Sequence, residues 1–203
     1  MDIEPLNIEG AYRCRPRQFA DDRGVFMEGF RGDKLAEHIG HEMRVVQTNI
    51  SISSRGAVRG IHFADLPPSQ AKYVTAVGGS FLDFIVDIRV GSPTFGQWDS
   101  LRLDTETRDA VYLSEGLGHC LVALEDNSTA VYLCSQGYNP TNERGINPLD
   151  THVGLAIPSG LVPALSPKDA SAPSLLEARD AGILPSYLEC QTWHARLRGE
   201  PEK

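Results

Sequence analysis

The sequence predicts a mainly β fold, a sandwich or jelly-roll barrel of two antiparallel sheets, with short helices near the N-terminus and at the C-terminus. Short stretches of alternating apolar and polar residues recur through the middle of the chain at a spacing of about ten residues. Glycine and proline turns separate them. Composition adds a third observation: 41% hydrophobic and 23% charged residues are globular values, so 203 residues can bury one sizeable core. One domain is expected over residues 1–203, with its core at about 5–170 and a helical tail at about 171–203.

Taken in order, Asp33 is placed to cap a short helix over residues 34–39, which Gly40 ends. Residues 44–52 (RVVQTNISI) alternate as a strand does, and so do residues 72–77 and 81–89. Gly78-Gly79 and Gly91-Ser92-Pro93 supply turns, and Ala57-Val58 start a further strand. Residues 100–103, 110–113, 120–124 and 129–135 complete the set. Residues 158–173 are proline-rich and are expected to loop across the barrel end. Ser174 with Glu177 three positions on forms a capping-box pattern for a helix over 174–181. Gly182 and Pro185 stop that helix, and residues 186–198 suit a last one.

A net charge of −8 argues against nucleic acid and anionic membranes as partners. Cys14, Cys120, Cys134 and Cys190 form no CxxC pair and read as reduced, mostly buried thiols. The opening residues MDIEPLNIEG are acidic and polar, and no apolar run approaches 18 residues, so a cytoplasmic protein without a membrane span is expected.

The densest chemistry begins at Arg59-Gly60-Ile61-His62. Period two puts Val58, Gly60 and His62 on one face, which in a barrel is the ligand-binding interior. A lone histidine of this kind more often serves structure. Lys72 lies in a strand of its own, and Asp83, Asp87 and Arg89 share one parity. That face is either solvated or carries buried charge that needs partners. Residues 114–119 (SEGLGH) use a glycine-rich turn to bring His119 to a strand start, similar to the second motif of the cupin superfamily with Ser114 in place of a proline. Metal-binding cupins add further histidines and a carboxylate, whereas His62 is followed here by Phe63 and Ala64, so no metal is expected. Tyr132 and Tyr138 are packing residues or, where a hydroxyl meets a reacting carbon, a general acid.

Several blocks together carry a resemblance: DRGVF at 22–26, QTN at 47–49, RGIHF at 59–63, QAK at 70–72, VDIRVGSPTFG at 86–96 and GLGH at 116–119. From about residue 5 to residue 170 the chain resembles the dTDP-4-dehydrorhamnose 3,5-epimerase family, of cupin jelly-roll type. GQWDS, VALED and ILPSY are similar to its antibiotic deoxysugar branch. The resemblance implies epimerisation of a dTDP-linked 4-keto-6-deoxy sugar at carbon 3, carbon 5 or both, without cofactor, by a homodimer that exchanges strands near its N-terminus. It implies His62 as base, Asp169 as its partner, Tyr132 as opposing acid and Lys72 near the keto oxygen. It implies Arg23 and Arg59 at the sugar-phosphate, Phe19 and Tyr138 stacked on thymine, and Glu28, Gln47, Asn49 and His119 as further pocket residues, with Arg23 reaching the neighbouring subunit. The chain departs from the family at Ala64 (usually glutamine), at Gly118-His119-Cys120-Leu121 (A-H-G-F) and at residues 147–150 (a W-N-D segment). A sugar-nucleotide ketoisomerase and a non-catalytic sugar-nucleotide binding module are the alternatives on the same fold.

Overall fold

A computed structural model describes residues 1–201. Its elements are β1 (Asp2–Pro5), β2 (Ala11–Arg15), β3 (Gln18–Asp21), β4 (Gly24–Met27), α1 (Gly32–Ile39), β5 (Gln47–Ser53), β6 (Val58–Ala64), β7 (Lys72–Gly78), β8 (Ser80–Val86), β9 (Trp98–Asp104), β10 (Ala110–Leu113), β11 (Gly118–Ala123), β12 (Ser128–Cys134), β13 (Glu143–Gly145), α2 (Pro167–Ala170), α3 (Leu175–Asp180) and α4 (Tyr187–Leu197). Strand order is β1-β2-β10-β7-β12-β5 in one sheet and β13-β6-β11-β8-β9 in the other, while β3 and β4 pair only with each other. The strand neighbours are antiparallel, and together they make the jelly-roll barrel.

Alternation along each strand builds three layers of apolar contact. Val74, Ala76, Val111, Leu113 and Ala130 of the first sheet meet Phe81, Ile85, Leu103, Leu121 and Ala123 of the second in the barrel interior. The opposite parity of β8 and β11 (Phe84, Val86, Cys120, Val122) faces outward and is covered by Ile146, Val153, Leu161 and by Leu175 and Ala178 of α3. On the outside of the first sheet, Cys14, Tyr73, Ala110 and Tyr112 are covered by Met43 and by Leu35 of α1. All four cysteines are free and buried. Among the described residues no helix is long and apolar enough to cross a membrane.

Several sequence expectations are corrected in detail. Asp33 does not cap α1: the helix starts two residues earlier, Arg31 is its N-cap, and Asp33 sits in the first turn bonded to the Arg31 guanidinium at 2.6 Å. Its charge there still favours the helix dipole. Gly40 ends the helix with φ of 81°. The capping box of Ser174 and Glu177 forms as the sequence predicts, and Ser186 caps α4. Strand β5 begins at Gln47 rather than residue 44, and β8 ends at Val86 because the chain turns at Asp87. The short strands β1 to β4 and β13 went unpredicted, since three to five residues leave too little alternation to read. Residues 158–173 do cross the sheet: Ala164 bridges Ala57, and α2 forms within the stretch.

Candidate active site

A cavity of about 500 Å³ opens at one end of the barrel between β5, β6, β7, β12, β13 and the segment carrying α2. Its position depends on an irregularity in β6. His62 pairs with His119 of β11, but Arg59 pairs with Leu121, so three steps on β6 answer two on β11. This is a β-bulge, and it overturns the period-two reading of this strand. Ile61 and Phe63 pack in the outer cluster, whereas Arg59 and His62 both line the cavity, and Val58 touches both. The bulge requires glycine at position 60: φ is +140°, and a Cβ there would stand 2.4 Å from the His119 carbonyl oxygen.

His62 Nε2 lies 2.7 Å from Asp169 Oδ1. Asp169 arrives on α2, whose N-cap Ser166 accepts a hydrogen bond from the Asp169 N–H at 3.1 Å. Burial works to raise the Asp169 pKa, but the hydrogen bond and charge of His62 outweigh it and hold the carboxylate below its ordinary range. The His62 ring is one-third exposed (33%) and Asp169 is buried, so the ring is oriented from behind and open in front.

Lys72 opens β7 and is buried in the cavity wall. Burial pushes its ammonium down, opposed by the charges of Glu143, Cys134 and Asp83. Tyr132 lines the wall from β12, and burial pushes its phenol up, so it keeps its proton. A chain of hydrogen bonds orders the adjoining wall: Gln47 Nε2 donates to Asn49 Oδ1 at 2.7 Å, and the Tyr138 N–H donates to Gln47 Oε1 at 2.8 Å. Arg59 Nε donates to Ser53 Oγ at 2.9 Å.

Of the residues named from the sequence, His62, Lys72, Tyr132, Asp169, Arg59, Gln47, Asn49 and Tyr138 line this one cavity. His119 does not line it, but is buried next to it across from His62, with Nε2 3.0 Å from both oxygens of Asp83. Arg23, Phe19 and Glu28 are not brought to the cavity of their own chain, because the β3–β4 hairpin before α1 pairs only with itself. Arg23 pairs with Asp21 at 2.6 Å, Glu28 with Arg31 at 3.0 Å, and Phe19 packs on Phe26. Glu143, Gln70 and Lys168 also line the cavity and were missed as site residues; Gln70 stood in the QAK block with Lys72, and Lys168 next to Asp169. Asp87 and Arg89 are buried, not solvated, but lie outside the cavity: Asp87 accepts from Arg89, Ser92 and Thr94 and locks the turn after β8.

A barrel of two sheets whose end holds an oriented histidine, a buried lysine and a protonated tyrosine is a cupin-type fold equipped for proton transfer. Residues 5–177 match the family model for dTDP-4-dehydrorhamnose 3,5-epimerase, and the chain belongs to that family. It is 48% identical over 198 residues to the dTDP-4-dehydrorhamnose 3,5-epimerase of Mycolicibacterium smegmatis, covering 98% of each chain. Among solved structures it is similar to NovW, a 4-keto-6-deoxy sugar epimerase from the novobiocin biosynthetic gene cluster of Streptomyces spheroides, with 52% identity, a TM-score of 0.92, and 94% and 96% of the two chains covered. It is also similar to ChmJ, a 3'-monoepimerase from Streptomyces bikiniensis in complex with dTDP-quinovose, at 46% identity and a TM-score of 0.94 over 97% and 99% of the chains.

Proposed function

We propose that the chain is an isomerase that epimerises a dTDP-linked 4-keto-6-deoxyhexose at carbon 3, carbon 5 or both, in deoxysugar biosynthesis of the antibiotic type. The observation that carries this reading is the His62–Asp169 contact of 2.7 Å in a cavity also lined by Lys72 and Tyr132. The ketone acidifies the protons on its neighbouring carbons. With Nε2–H donated to Asp169, His62 presents Nδ1 as the free lone pair that removes one of them. The electron pair moves onto the former ketone oxygen, where the Lys72 ammonium stabilises it. Tyr132 returns a proton to the opposite face and the centre inverts. No electron leaves the sugar for good, so the chemistry calls for no cofactor.

The nucleotide supplies binding energy that holds the sugar in place. In this reading Arg59 and Lys168 meet phosphate, Tyr138 stacks on thymine, and Gln47 and Asn49 shape the wall. Arg23, Phe19 and Glu28 act from a second copy of the chain, which makes the enzyme a homodimer working in the cytoplasm. One domain of 203 residues is part of the same reading, supported by the packing of α3 onto the five-stranded sheet.

The test is incubation with dTDP-4-keto-6-deoxyglucose in deuterated water, followed by proton NMR. Exchange at carbon 3 alone, or at both carbons, identifies the centres inverted. His62→Asn is expected to abolish exchange and epimerisation together. Native-rate exchange by that variant would end the assignment of the base.

A further inference from the structure

Asp83 is a fully buried carboxylate that the proposed reaction does not use. It faces the barrel interior from the middle of β8, on the side of Phe81 and Ile85. The neighbouring strand β11 delivers His119, whose Nε2 lies 3.0 Å from both Asp83 oxygens. His119 is directly opposite His62 in the β6–β11 register, where Cβ atoms stand about 4.5–5.5 Å apart. Two histidine–aspartate pairs therefore sit side by side. His62–Asp169 opens on the cavity, and His119–Asp83 is closed behind it. From the far side of the barrel, Lys72 is also within reach of the Asp83 charge.

Dry surroundings work against each of these charges. Desolvation pushes the Asp83 carboxyl up and the Lys72 ammonium down; His119 and Lys72 oppose it at Asp83, and Glu143 and Asp83 oppose it at Lys72. Resting on the epimerase reading, we propose that Asp83 is a positioning residue for the reaction: it fixes His119 through both carboxylate oxygens and holds Lys72 as a cation where the enolate charge develops. Asp83 touches no substrate and acts through these two neighbours. A positive field set in advance needs no rearrangement when the charge forms.

The groups facing Lys72 are Asp83 on β8, Tyr132 and Cys134 on β12, Glu143 on β13, and Arg59 and His62 on β6, with His119 on β11 behind Asp83. Lys168 and Asp169 line the same cavity from α2. Of the three carboxylates, Asp169 is committed to His62, Glu143 is partly exposed and acts most strongly on the Lys72 charge, and Asp83 is the fully buried one. Burial pushes the Lys72 ammonium down and the Tyr132 phenol up, and in this proposal loss of the Lys72 proton sets the alkaline limb of kcat.

Asp83→Asn keeps the volume and an acceptor for His119 but removes the charge. The experiment compares kcat, KM and their pH profiles for this variant and the unmodified enzyme, with dTDP affinity as a check that the pocket is intact. Expected are a kcat lower by about 10²-fold, a nearly unchanged KM, and an alkaline limb shifted to lower pH by roughly one unit or more. An unmoved limb in a folded, dTDP-binding variant overturns the inference. His119→Asn is the second arm and covers the case in which Asp83→Asn does not fold. It leaves the carboxylate with Lys72 alone, so the limb stays or rises, and a fall would overturn the inference. An unmodified enzyme idle on the nucleotide sugar overturns the epimerase reading, and this inference with it. An active enzyme whose limb Asp83→Asn leaves in place overturns this inference alone.

Discussion

His62 and Tyr132 reach one cavity from different sheets, β6 in the five-stranded one and β12 in the six-stranded one. That arrangement is what a base and an acid on opposite faces of one carbon need. Their roles separate in deuterated water. Tyr132→Phe leaves the base and Lys72 in place, so exchange should persist while the epimer forms slowly. A variant that inverts as fast as the unmodified enzyme would hand the acid's role to another group. Tyr138 tests binding instead of chemistry. It is 62% exposed at the cavity rim, where a base can stack on it. Tyr138→Ala should raise KM more than it lowers kcat, by an amount equivalent to about 1–3 kcal/mol; an ordinary KM would remove the stacking assignment. His62 and Lys72 were legible within local blocks such as RGIHF, whereas Tyr132, Tyr138 and the pairing of His62 with Asp169 came only from the family resemblance, because spacing cannot join two residues 107 positions apart.

At the scale of elements, the bulge in β6 and the turn after β8 show where alternation stops being a guide. Period two assigns side chains to faces only while the register is regular, and one extra residue shifts every assignment after it. Gly60 marks that extra residue, with a φ of +140°. At the turn after β8, burial alone would raise the Asp87 carboxyl, but hydrogen bonds from Arg89, Ser92 and Thr94 win and hold it below its ordinary value of 3.8. A carboxyl depressed in the folded state contributes stability that is fully present above its unfolded pKa and is lost as pH falls through the folded one. Asp87→Asn strands the buried Arg89, a change that costs about 3–5 kcal/mol in comparable pairs. Its melting midpoint should therefore fall well below that of the unmodified protein at neutral pH. The gap should narrow as pH drops below 3.8. A gap that stays constant with pH would show that the carboxylate's charge is not what stabilises the turn.

For the whole molecule, the two outer faces of the barrel are treated differently. The C-terminal segment covers the five-stranded sheet, whereas α1 packs on the six-stranded one over β2, β10 and Tyr73 of β7. At the other side Ile50 and Ile52 of the edge strand β5 are 69% and 65% exposed, and Val77 of β7 is 50% exposed. Phe26 of the hairpin is 69% exposed. An apolar face of this kind on a folded chain suits burial by a partner. A second copy would cover it and bring the hairpin residues Phe19 and Arg23 to the site they miss within their own chain. Light scattering at micromolar concentration should give a dimer. Ile52→Asp should weaken it and reduce nucleotide affinity together; a native monomer with full activity would exclude the shared site.

What the sequence determined by itself is what short-range rules govern. The strands of the barrel middle follow from alternation, and α3 and its start follow from Ser174 and Glu177, because a cap and a period need only neighbouring residues. The candidate base and lysine stood out within their own blocks, and the candidate acid through the family resemblance. Only the tertiary structure decided which face of β8 and its turn would be dry, because period two gives parity and not what comes to cover it. Asp83 and Asp87 share a parity along the chain, yet one became the partner of His119 and the other the lock of a turn. The physical reason is that a buried charge is settled by the elements packed against it, and those come from remote parts of the chain.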